Sequence, residues 1–168
     1  SAVSVIDDKT VAAIRQAIAA ASAGRIGEAV SIGERALASG GDAIALNAML
    51  GTLQLRSGNS DAGIRHLRIA NRARPTDAVI ATNLANALAQ QGDYASALEI
   101  LSEELARSDS TLQLQRLRGF IAQSAEDYPA SVSSYQQVVD AQPDDWETWN
   151  NLGNANRQMG NFEAGARR

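Results

Sequence analysis

The sequence contains no cysteine. That excludes a disulfide framework and every thiolate metal site. It also fits a reducing compartment, so the cytoplasm is the expected location. There is one histidine, His66. With no second histidine and no thiol, neither a metal site nor a Cys–His nucleophile pair can be assembled, and His66 is expected at the surface. Lysine is nearly missing: of 15 Lys and Arg only Lys9 is lysine, against 19 Asp and Glu, for a net charge of -4. A nucleic-acid footprint would need a basic excess, so no nucleic acid is expected as partner. No apolar run approaches the roughly 18 residues of a membrane span. The opening "SAVSVIDDKT" lacks the basic region and apolar core of a signal peptide. Phosphate-loop and dinucleotide glycine motifs are missing too, and "GGD" at 40–42 reads as a turn. The adjacent carboxylates Glu103 and Glu104, and Asp144 and Asp145, point in different directions and make no acid–base pair. No catalytic residue, cofactor or metal is therefore expected. The arginine bias and abundant alanine suggest a GC-rich bacterial source. Ser1 in place of methionine suggests a processing or cloning boundary.

What is present is a repeat. Gly24, Gly58, Gly92 and Gly160 are spaced by 34, 34 and 68 residues. The vacant place falls at Glu126, inside "EDYPA", which follows the pattern of "GDYAS" from Gly92. Two further columns hold only small residues. One is Ala17, Gly51, Ala85, Gly119 and Gly153; the other is Ala29, Gly63, Ala97, Ser131 and Gly165. Small side chains let two helices approach closely. Pro75 and Pro143 share a column where one helix must stop before the next.

Within each unit the apolar spacing is helical. Leu46, Met49, Leu50 and Leu53 form one such set, and Leu98, Leu101 and Leu105 another. Gly58, Gly92 and Gly160 are expected to close first helices. Asn59, Asp93, Asp127 and Asn161 are expected to cap second helices, and Asp77, Ser110 and Asp144 to cap first ones. The result is an all-α chain of ten helices in five antiparallel pairs, the last incomplete.

The final unit, with Pro143, Trp149, Leu152, Gly153, Gly160 and Phe162, resembles the tetratricopeptide repeat, and the resemblance extends over about residues 10 to 168 in constant register. It implies a single domain, 1–168, with repeats at about 10–43, 44–77, 78–111, 112–145 and 146–168. It further implies a right-handed α-solenoid whose first helices line a concave, peptide-binding surface. Gln16 and Arg118 depart from the pattern, where leucine is usual, so those two first helices are expected to be rotated or shifted. The residues placed on the concave face are Arg15, Met49, Arg56, Asn83, Asn86, Arg116, Phe120, Asn150, Asn151, Asn154 and Arg157. Asparagine pairs with both the N–H and the C=O of a peptide bond. The asparagines therefore either hold a peptide backbone or solvate the groove. The arginines either bind a carboxylate or stand solvated. Met49, Leu117 and Phe120 are either an apolar anchor or core, and Trp146 is a candidate partner contact, while Trp149 falls in the core column.

Two functions follow. The chain is a non-enzymatic scaffold for a protein or peptide partner, or it is the N-terminal repeat region of a larger enzyme. In the second case a transferase, such as a sulfotransferase or glycosyltransferase, or a hydroxylase lies downstream, and the full-length reading frame separates the two. The second helix of the last repeat is expected to run about two turns beyond Arg168. Self-association through the uncapped surface of Trp149, Leu152 and Phe162 is a third expectation, because an uncapped repeat end is sticky.

Overall fold

The computed structural model describes residues 6–166, apart from the side chains of Phe162 and Ala166. Every element among them is an α-helix: α1 (Asp8–Ser22), α2 (Ile26–Ala38), α3 (Ala43–Arg56), α4 (Ser60–Ala73), α5 (Ala78–Gln90), α6 (Tyr94–Ile100), α7 (Glu103–Ser108), α8 (Gln113–Ser124), α9 (Tyr128–Ala141) and α10 (Trp146–Ala166). The contacts divide the chain into two compact units, Ser1–Ala87 and Leu88–Arg168. In the first, α2 packs on α1 and α3, and α4 packs on α3. In the second, α6, α7 and α9 pack on α8, and α10 packs on α9.

The short turns recur because one hydrogen-bond pattern recurs. At Gly24, Gly40, Gly58 and Gly92 the backbone turns left-handed, with φ between 81° and 86°. At Gly58, its N–H reaches the carbonyl of Leu55 at 3.1 Å and the next N–H, of Asn59, reaches that of Gln54 at 2.9 Å. This is the Schellman closure of a helix. Glu126 adopts the same conformation, with φ 61°. Its N–H reaches Gln123 at 3.0 Å, and that of Asp127 reaches Ala122 at 2.8 Å. The vacant column is thus filled by geometry, at the conformational cost a side chain incurs there.

The small columns mark close helix crossings. A Cβ on Gly51 would lie 2.5 Å from Leu67 and 3.1 Å from the carbonyl of Gly63, and one on Gly63 would lie 3.0 Å from the carbonyl of Gly51. In the second unit a Cβ on Gly119 would lie 2.6 Å from the ring of Tyr135. There Ser131 donates its hydroxyl to the Gly119 carbonyl at 2.9 Å. The core around these crossings is aliphatic. Ala17, Ala20, Ala21, Ala29 and Leu53 cluster in the first unit, and Tyr135, Val139, Leu152 and Ala155 in the second.

Two elements differ from expectation. The stretch after Gly92, expected as one helix, breaks at Leu101–Ser102 into α6 and α7. Ser102 turns extended and its Oγ accepts the Leu105 N–H at 3.1 Å, as an N-cap. The freed carbonyl of Leu101 accepts from Arg118 Nε at 3.0 Å, and Arg118 Nη1 donates to Ser134 Oγ at 3.2 Å. Arg118, whose side chain is only 11% exposed, therefore occupies its leucine place as the partner of a helix break. The second difference is α10, which runs unbroken through Gly160 and Asn161. Gly160 does not close a helix and Asn161 does not cap one. Beyond Ala155 no described residue of α10 is buried.

The caps are corrected in three places. Asp145, not Asp144, accepts the Thr148 N–H, at 3.1 Å. Asp109, not Ser110, secures the start of α8, accepting from Thr111 N at 3.0 Å and Leu114 N at 2.9 Å. Asn59 makes no side-chain cap bond. Asp77, Asp93 and Asp127 do cap, at Ile80, Ser96 and Ala130.

Candidate functional site

The side chains placed on the concave face fall on first helices of both units, and each unit is taken in turn. In the first unit Arg15 on α1 and Arg56 on α3 are exposed, Asn83 on α5 is half-buried and Asn86 exposed. Met49 packs against the cluster of Ala17, Ala20, Ala21, Ala29 and Leu53, which fits its core reading. Among the described residues no hydrogen bond or ion pair joins Arg15, Arg56, Asn83 and Asn86 to one another.

In the second unit one hydrogen bond links α8 to α10: Gln123 donates to Gln158 Oε1 at 2.7 Å. Gln123 also accepts the Tyr135 hydroxyl at 3.4 Å. Burial pushes that phenol up to about 12. α8 carries Phe120, 62% exposed, and α10 carries Asn150, Asn151 and Asn154. Phe120 is therefore not core. Arg157 folds back along its own helix and donates to Asn154 Oδ1. Sequence reasoning missed Gln123, although it lies one turn after Phe120 and 35 residues before Gln158.

Arg116 is not a free cation. Its guanidinium holds Asp145 at 2.9 Å, reaches the Thr111 carbonyl at 3.3 Å and donates to Gln142 Oε1. The Thr148 hydrogen bonds, and then Arg116, hold the Asp145 carboxyl below its ordinary value. Arg116 thus braces the start of α8 against the loop before α10. Trp149, expected in the core, is 40% exposed and donates Nε1–H to the Pro143 carbonyl at 2.9 Å. Trp146 is 74% exposed. The side chain of Phe162, expected beside them, lies outside the described residues.

Asn47 contrasts with several of the asparagines placed on the concave face. Asn47 is buried, donates to the Ala43 carbonyl at 2.7 Å and holds His66 Nδ1 at 2.8 Å. His66 is therefore half-buried and structural, rather than a surface residue. By contrast, among the described residues Asn83, Asn86, Asn150 and Asn151 make no side-chain hydrogen bond, so their amides are available to a ligand. Among the described residues no group of three His, Asp or Glu is placed to hold a metal, and no helix is long and apolar enough to cross a membrane.

Comparison with known proteins adds three findings. The family described as Tetratricopeptide repeat matches residues 48–111 and 118–167. A segment of 64 residues is 39% identical to the N-terminal acetyltransferase B complex auxiliary subunit NAA25 of Arabidopsis thaliana. That segment is 36% of this chain, and the match spans only 6% of that protein's length. Among solved structures, MamA of strain AMB-1 superposes with a TM-score of 0.73 at 22% identity, over 94% of this chain and 87% of that one. MamA of Desulfovibrio magneticus RS-1 superposes at 0.75 with 17% identity, over 97% and 92%. At such identities the likeness to MamA speaks for the fold alone.

Proposed function

This chain belongs to the tetratricopeptide-repeat family, and on that premise we propose that it is a non-enzymatic scaffold binding an extended segment of a protein partner along the surface of its first helices. The observation that carries this reading is the set of amides without an internal partner, Asn83, Asn86, Asn150 and Asn151, beside a buried asparagine that is fully engaged. An exposed amide that pairs with nothing inside the fold can pair with a backbone arriving from outside. Asn154 and Phe120 extend the same face in the second unit, as hydrogen-bonding group and apolar anchor. Arg15, Arg56 and Arg157 supply cations for a carboxylate, whereas Arg116 is committed to Asp145. The repeat boundaries at about 43, 77, 111 and 145 belong to the same proposal, as does a cytoplasmic location.

The test starts from a peptide selected for binding from a random display library. Replacing Asn83, Asn86, Asn151 and Asn154 together with alanine should weaken its binding at least tenfold, since each such hydrogen bond contributes about 1 kcal/mol. Unchanged affinity in a folded variant removes the site.

The likeness to an auxiliary subunit of an acetyltransferase complex favours a second reading, in which the repeats accompany a catalytic domain or subunit. Co-purification with a transferase from the source organism would support it, and isolation without one would count against it.

A further inference from the structure

Charge is unevenly spread along this chain. Residues 1–87 carry nine Lys and Arg against seven Asp and Glu, and residues 88–168 carry six against twelve. In the first half the excess is concentrated on α4. Arg65, Arg68 and Arg72 recur on the side of the helix opposite its buried residues Ala62, Gly63, Leu67, Ala70 and Asn71. They span about 10 Å of helix. Ile69, 45% exposed, lies among them. One carboxylate, Asp61, shares the stripe. Among the described residues none of the three arginines is in an ion pair.

The second unit holds a complement. A cleft of about 550 Å³ lies between the outer face of α6 and the turn joining α8 to α9. Tyr94, Ala95, Leu98 and Ala125 give it an apolar floor, and Asp93, Glu99 and Asp127 an acidic rim. Among the described residues no Lys or Arg lines it. Glu126, between the lining residues Ala125 and Asp127, adds a fourth exposed carboxylate.

We propose that this cleft receives the α4 stripe of a second copy of the chain. Ile69 would enter the apolar floor, where burying a side chain of that size is favourable. The arginines would reach the carboxylates of Glu99 and Glu126, which their planar guanidinium groups can hold bidentately. Arginine suits this task better than lysine, being more weakly hydrated and fixed in its donor geometry. Because the two faces differ, the contact is heterologous, and it propagates head to tail unless it closes into a ring. This inference does not rest on the peptide-binding reading.

The test is sedimentation velocity of the whole chain at low and high salt. The wild type should associate with rising concentration in about 20 mM salt and at least tenfold more weakly in about 500 mM, where the Debye length is only a few ångströms. Two variants block one face each: R68E/R72E on α4, and E99R in the cleft, which leaves the helix caps Asp93 and Asp127 in place. Each alone should be monomeric, with unchanged helical circular dichroism. Their equimolar mixture should form 1:1 dimers and nothing larger, because only one intact pair of faces remains. A wild type that stays monomeric at low salt would overturn the proposal. So would a mixture that stays monomeric, or variants that associate as the wild type does, an outcome pointing to the Trp149 end instead.

Discussion

Two non-glycine residues, Leu112 and Glu126, hold left-handed backbone, with φ 64° and 61°. Glu126 occupies a turn that glycine fills elsewhere in the chain. Replacing it with glycine should raise stability by up to about 1 kcal/mol, the relief of strain being partly offset by added freedom in the unfolded chain. Chemical denaturation measures it, and a loss of stability would mean that the Glu126 side chain makes a contact of its own. Gly119 predicts the opposite sign. Its Cβ would meet the Tyr135 ring at 2.6 Å, and the ring is packed in a buried cluster. Gly119→Ala should therefore cost roughly 1–3 kcal/mol. His66 supplies a pH dependence. Burial first, then the Arg65 charge, hold its pKa below the ordinary 6.5, while Glu34 opposes them. The folded chain then binds the proton more weakly than the unfolded one. The stability this confers is complete above about pH 6.5 and is lost as pH falls through the folded value. Asp109 and Asp145, also lowered, lose their contribution only below their ordinary 3.8. In His66→Gln the melting temperature should lose the dependence that sets in as pH falls below about 6.5.

At the scale of the element, Arg118 and Gly160 give contrasting tests. Arg118→Met fits the space but leaves the Leu101 carbonyl without its side-chain donor, which should cost roughly 1–3 kcal/mol. Hydrogen exchange should quicken at Ser102–Leu105, and unchanged exchange there would mean that Ser102 alone sets the break. Gly160→Ala should stabilise by about 0.5–1 kcal/mol, because its Cβ meets nothing within 4 Å and alanine favours the helix. Were Gly160 a left-handed turn residue, the same change would destabilise. These two elements also show what the sequence could convey. The turns at Gly58 and Gly92 were legible because a glycine, a residue of capping type and an apolar helix followed one another. Gly160 has the first two signals, yet its backbone stays helical within α10. The break at Ser102 was invisible, since Leu98, Leu101 and Leu105 keep helical spacing across it. Its partner, Arg118, lies 17 residues away. For the candidate site, the first-helix faces were legible from periodicity. The engagement of Arg116 was not, because it depends on Asp145, 29 residues on.

At the scale of the molecule, repeat chains are held together by neighbour contacts, so a local injury stays local. Gly119→Ala should speed amide exchange in α8, α9 and α10 while leaving α1, α2 and α3 nearly as protected as in the wild type. Uniform acceleration along the chain would instead mean that both units open together. The asymmetry of charge acts at this scale too. Residues 1–87 sum to +2 and residues 88–168 to -6, a polarity along the chain that the total of -4 does not convey.

The unbroken α10 has a consequence for helix–coil balance. Its 21 residues extend about 31 Å, but its buried positions end at Ala155. The turns beyond have little packing to sustain them: no described residue there is buried, and Gln158 is tied to Gln123 of α8. They persist by propagation from the anchored half, since a free helix of that length is marginal in water. Amide protection should therefore decline turn by turn from Ala155 towards Ala166, so that this end of the helix melts and re-forms while the remainder stays folded.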